Sequence, residues 1–244
     1  TNERLWQLIM RYKDTDFANE AAELLVADSK LNRNALRYFR EVLKGDSVPI
    51  LAKQYRESTL DDRGKGELYG VINDYIDIHP ESGQILVERF QGYLVKMGEE
   101  AIAKAEADAK REAERAAREA SGEGGGDRGR GVDWREMFGG GRGGGSRESA
   151  VREVRRLTEG KPDTEGIAAR RGILTGLKGS TSDADFQNMF TQVEQRLDAL
   201  ANPDAEGFNE RWRLTDPVRA KQEEERRKRM EEMRDRFRNR GGNN

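Results

Sequence analysis

The sequence has no cysteine and a single histidine, His79. Without thiols there is no disulfide framework, no thiolate metal site and no cysteine nucleophile. One histidine cannot complete a histidine-based triad or a zinc centre, and beside Pro80 it reads as a turn residue. Aromatic residues are also scarce, at 7%, and hydrophobic residues of all kinds reach only 34% against 37% charged. Such a chain cannot fill one thick core, so elongated helices with narrow apolar stripes are expected. No apolar run approaches the roughly 18 residues of a membrane span, and the first residues lack the apolar stretch of a signal peptide. The expectation is a soluble chain that uses no membrane.

Glycine and charge are what the chain has in quantity. Twelve of the 26 residues from Ser121 to Ser146 are glycine, which makes ordering costly and predicts a flexible tether between two helix-rich halves. Within this stretch, residues 132–138 read VDWREMF. Trp134 and Phe138 are four apart, so one helical turn would bring both rings to one face. Large rings in a glycine linker predict an anchor that docks on a partner or on the protein's own domains. The formal net charge of −2 conceals a gradient: residues 1–100 carry 14 basic and 18 acidic side chains, and residues 219–240 carry 10 and 6. Opposite ends can attract each other or neighbouring copies.

Helical periodicity runs through the first half. Leu5, Leu8, Ile9 and Tyr12, with Trp6 alongside, predict a first amphipathic helix. Asp14 to Asp16 can stop it and cap a second, with Phe17, Ala21, Leu24 and Leu25 on one face. Asn32 caps a third helix that buries Leu36, Phe39, Val42 and Leu43 and ends at Gly45. Ser47 and Pro49 open a fourth with Leu51, Ala52 and Tyr55, and after a loop from Ser58 to Gly66, Leu68, Tyr69, Ile72, Tyr75 and Ile76 mark a fifth. The short connections predict antiparallel neighbours in a bundle over residues 1–100. Ser82 is the expected cap of a long helix from about residue 83 to 120. Its first half has a stripe at Leu86, Phe90, Tyr93, Leu94 and Met97; residues 101–120 alternate alanine with charge and predict a projecting strut.

Beyond the tether (121–146), residues 147–214 predict a small helical domain. Val151, Val154 and Leu157 mark a short helix, and Ile167, Leu174 and Leu177 a second, weakened by Gly166, Gly172, Gly176 and Gly179. Ser182 to Asp185 resembles a capping box before Phe186, Met189, Phe190, Val193, Leu197 and Leu200. Phe208, Trp212 and Leu214 then cover the bundle. Asp216-Pro217 starts a final basic helix in residues 215–244, whose large apolar residues between Arg219 and Arg240 are Met230, Met233 and Phe237. The fold class expected is all-α: an N-terminal bundle with a long helix, a Gly-rich tether, and a small helical domain with a terminal basic helix.

Catalytic chemistry finds little support in these residues. The stretch from Gly172 to Ser180 fails as a phosphate loop, which needs Gly and Lys adjacent and followed directly by Ser or Thr. Asp61-Asp62 has no calcium-loop or two-metal spacing. No metal, cofactor, small-molecule substrate or catalytic residue is expected, and the protein is read as no enzyme. Arg128, Arg130 and Arg142, set among glycines, resemble the arginine-glycine segments of RNA-binding proteins, but Glu123, Asp127, Asp133 and Glu136 offset their charge and that of Arg135.

The layout resembles that of scaffolding, assembly-chaperone or internal structural proteins of viral and phage particles. That resemblance implies a non-enzymatic structural protein, cytoplasmic or inside such a particle, that binds protein partners and itself. The expected contacts are Trp134, Arg135, Met137 and Phe138 in the anchor and Met233 and Phe237 in the tail. The alternative is an RNA- or DNA-binding adaptor using Arg128, Arg130, Arg142, Arg226, Arg227 and Arg229, with salt-sensitive affinity.

Overall fold

A computed structural model describes residues 3–27, 30–120, 145–202, 209 and 211–240, apart from the side chains of 118–119 and 235–240. The fold is all-α. Helices α1 (Glu3–Tyr12), α2 (Ala18–Leu25), α3 (Arg33–Tyr38), α4 (Val48–Glu57), α5 (Asp62–Asn73) and α6 (Pro80–Ala120) come before residues 121–144, where the expected tether lies outside the described residues. After it come α7 (Ser146–Arg156), α8 (Thr164–Ser180), α9 (Ala184–Ala201) and α10 (Pro217–Arg240). Two strands of two residues, Val26–Ala27 and Lys30–Leu31, pair antiparallel after α2.

Polar residues open several helices as their positions suggest. Asn32 accepts from the backbone N–H groups of Asn34 and Ala35. Asp61 caps α5 through the Gly64 N–H, and Asp163 caps α8 through the Gly166 N–H. Asp183 accepts from Asp185 and Phe186 at the start of α9. Each cap satisfies a donor that the first helical turn leaves over, worth about 1 kcal/mol. Asp61 thus has a structural task, and α5 begins inside the Ser58–Gly66 stretch expected as a loop, because that cap opens the helix early.

Packing shifts other expectations. In α1 the buried residues are Trp6 and Ile9, while Leu5, Leu8 and Tyr12 are exposed. Trp6 meets Phe17 edge-on at 5.5 Å and Tyr38 at 6.2 Å, so the aromatic cluster rotates the helix away from its Leu5–Leu8 face. Residues Phe39–Leu43 form a π-helical turn, and Lys44, not Gly45, takes a positive φ of 51°. Helix α6 begins at Pro80, earlier than a Ser82 cap would set it. The Ser82 hydroxyl is buried instead and donates to the Ile72 carbonyl at 2.8 Å, fastening α6 to α5.

Tyr38 is fully buried, and its hydroxyl donates to the Asp14 carbonyl at 2.8 Å. Burial, and then the charges of Asp14, Asp16 and Glu20, hold its phenol above the ordinary value. A raised folded pKa favours the protonated phenol in the fold. That stability is complete below pH 10.0, the unfolded value, and is lost as pH rises through the folded one. Tyr38→Phe should cost about 1 kcal/mol at neutral pH. Its urea midpoint should then fall less steeply than the wild type's once pH passes 10.0; parallel slopes would deny Tyr38 that role.

The packing divides the chain into one unit of Thr1–Glu88 with Val154–Asn244 and another of Arg89–Glu153. The first unit takes in helices from both sides of residues 121–144. In the second unit, Arg89 Nε donates to the nearly buried Glu153 Oε1 at 3.0 Å, and its Nη2 donates to the Tyr93 hydroxyl at 2.7 Å. The Ser146 hydroxyl donates to Glu100 at 2.6 Å. From Glu99 to Ala117 every side chain of α6 is exposed, as alternating alanine and charge predict. Among the described residues no helix is long and apolar enough to cross a membrane.

Candidate functional site

Two surfaces of the first unit are candidates: helix α10 and a groove beside α8. Helix α10 starts where the sequence places it, with the Asp216 carboxylate accepting from the Val218 N–H at 3.1 Å. Every side chain from Arg219 to Arg234 is exposed, including Met230 at 57% and Met233 at 43%. Arg226, one turn before Met230, and Arg234, one turn after it, fall on the same helical face. Phe237 belongs to α10 with its side chain outside the described residues. Lys228 reaches Glu224 at 2.7 Å, and Arg227 reaches Glu231 at 3.6 Å. The hydrogen bond to Lys228 holds the Glu224 carboxyl below its usual range, and the same bond raises the Lys228 ammonium.

The other expected contacts, Trp134, Arg135, Met137 and Phe138 in the anchor and Arg128, Arg130 and Arg142 around it, all lie outside the described residues. Arg229, like Arg226 and Arg227, is on α10.

The groove was not legible in the sequence. It encloses about 590 Å³ between the Ile76–His79 turn, the first turns of α6 and helix α8. Its walls include Ile76, Val87 and Ile173, with Ile78 standing 68% exposed at the edge. One glycine on each helix, Gly176 of α8 and Gly83 of α6, lets the two helices approach. A Cβ on Gly176 would stand 3.1 Å from Val87 Cγ2, and one on Gly83 would stand 2.6 Å from Ile173 Cγ1. Gly172 also lines the groove, yet a Cβ there would meet nothing within 4 Å. His79 contributes a buried Nδ1 that has no hydrogen-bond partner.

Beneath the groove, Arg170 holds the turn to α8. It is 5% exposed, and its Nε and Nη2 donate to Asp77 Oδ1 and Oδ2 at 2.5 and 2.8 Å. Its Nη1 donates to the Leu157 and Glu159 carbonyls at 3.1 and 2.6 Å. At the rim, Arg56 Nη2 donates to Glu88 Oε1 at 2.8 Å. Local sequence could not mark these roles, because Asp77 and Arg170 are 93 residues apart and every helix here is rich in charge.

Comparison with protein families, curated proteins and solved structures gives no match to this chain. The functional reading therefore rests on residues and geometry.

Proposed function

We propose that the protein is a non-enzymatic assembly protein that binds protein partners, copies of itself included, through helix α10 and the 132–138 anchor. The observation that carries this reading is the exposure of Met230 and Met233 on a helix whose side chains from Arg219 to Arg234 all face solvent. A charged helix without a packed apolar face is marginal alone, and a partner that covers the two methionines supplies the missing burial. The pairs Lys228–Glu224 and Arg227–Glu231 offset part of the basic surplus, which favours a protein partner over phosphate.

Light-scattering mass, with the 260/280 nm absorbance ratio followed across the same peak, tests the proposal. A nucleic-acid-free oligomer or protein complex is expected, and Met230→Glu with Met233→Glu should weaken it by roughly tenfold or more. Trp134→Ala with Phe138→Ala should likewise remove a stoichiometric protein contact and leave oligonucleotide affinity unchanged. A monomer that carries nucleic acid, releases it at high salt and loses it on neutralising Arg226, Arg227 and Arg229 would establish the RNA- or DNA-binding adaptor instead.

A further inference from the structure

The groove and helix α10 are complementary in chemistry. The groove-forming segment from Asp74 to Glu88 carries Asp74, Asp77, Glu81 and Glu88 and no lysine or arginine. Across the groove, the cations of α8 are engaged elsewhere: Arg171 reaches Asp198 at 2.6 Å, Lys178 reaches Glu194 at 2.8 Å, and Arg170 lies beneath. Asp77 and Glu88 line the groove and hold Arg170 and Arg56, but their side chains remain 30% and 44% exposed. Helix α10 offers the opposite: two exposed methionines one turn apart, between Arg226 and Arg234, in a segment with 10 basic and 6 acidic residues.

We infer that α10 of one copy docks in the groove of a second copy, with Met230 and Met233 on the floor at Gly172 and Gly176 and the arginines toward the acidic rim. This rests on the assembly reading and names its partner. The open space above Gly172 receives a side chain from outside, and an unbranched methionine adapts to an irregular apolar slot. Groove and helix are different surfaces of the same molecule, so reciprocal exchange closes a two-fold dimer and one-way docking generates rings or filaments.

The test uses the full chain and light-scattering mass over a concentration series. Gly172→Leu fills the groove at a site where a Cβ meets nothing within 4 Å, so the fold is retained, as circular dichroism should verify. Both Gly172→Leu and the Met230→Glu/Met233→Glu pair should weaken self-association by roughly tenfold or more. Mixed together they should form a one-to-one dimer and nothing larger, since one variant keeps the helix and the other keeps the groove. Association that is lost in the methionine variant but unchanged in Gly172→Leu would overturn the groove and leave the assembly reading standing. A wild-type monomer at every concentration would also overturn the inference. In that case, uptake of an apolar dye lost in Gly172→Leu would assign the groove to a small apolar ligand, and a stoichiometric complex with another protein would still uphold the assembly reading.

Discussion

Arg170→Ala lowers the unfolding free energy by about 3–5 kcal/mol, as much as truncating a large buried side chain. The guanidinium is 5% exposed and makes two bonds to Asp77 and two to the backbone carbonyls of Leu157 and Glu159. Truncation leaves a half-buried carboxylate without its cation and strips two carbonyls of a donor, and unpaired groups in a low-dielectric site cost more than the pair itself contributes. Arg170→Lys keeps the charge but cannot reproduce a fork that reaches four oxygens. In urea the midpoint should fall by about 1–2 M. Asp77→Ala combined with Arg170→Ala should cost less than the two separate losses added together, because they share one interaction. A loss below about 1 kcal/mol for Arg170→Ala would mean that solvent screens the pair as it does on a surface.

Gly83→Ala should destabilise by about 1–3 kcal/mol, even though alanine is the better helix former by about 0.5–1 kcal/mol. The added Cβ would lie 2.6 Å from Ile173 Cγ1 and 2.8 Å from its Cδ1, and Ile173 is itself buried. Helix α6 or the isoleucine must move, and the shift forces the side chain from its preferred rotamer. Gly172→Ala is the control. Its Cβ meets nothing within 4 Å, so the propensity gain stands alone and stability should rise by about 0.5–1 kcal/mol. The opposite signs separate close approach from propensity, and thermal or urea unfolding of both variants reads them directly. In an Ile173→Ala background the cost of Gly83→Ala should vanish; if it persists, the clash lies elsewhere.

Much of the architecture was legible because local chemistry decides it. Asn32 and the Ser182–Asp185 stretch, where Asp183 is the cap, open helices through short side chains that need no distant partner, whereas the caps at Asp61 and Asp163 fall where the sequence suggests a loop and a turn. Asp216-Pro217 opens α10 for the same reason, and alanine alternating with charge in residues 101–120 specifies a helix with no wide apolar face. The methionines of α10 were legible as a stripe too narrow for a core, and they are exposed. The candidate groove was not legible, because its walls come from segments about ninety residues apart in sequence and its floor is made of glycines.

The sequence by itself determined that the chain is helical, where several of its helices start, and that these residues offer no cysteine. Only the tertiary structure decided which face of α1 is buried, that Ser82 fastens α6 to α5, and that the glycine-weakened segment is a full helix, α8, against α6. Periodicity and caps are properties of a few consecutive residues, so they are written locally. Burial of Trp6 against Phe17 and Tyr38, the pairing of Arg170 with Asp77, and the approach of Gly83 to Ile173 each depend on where a remote segment lies. Packing free energy outweighs the roughly 1 kcal/mol propensity cost of each glycine, and that balance exists only once the chain is folded.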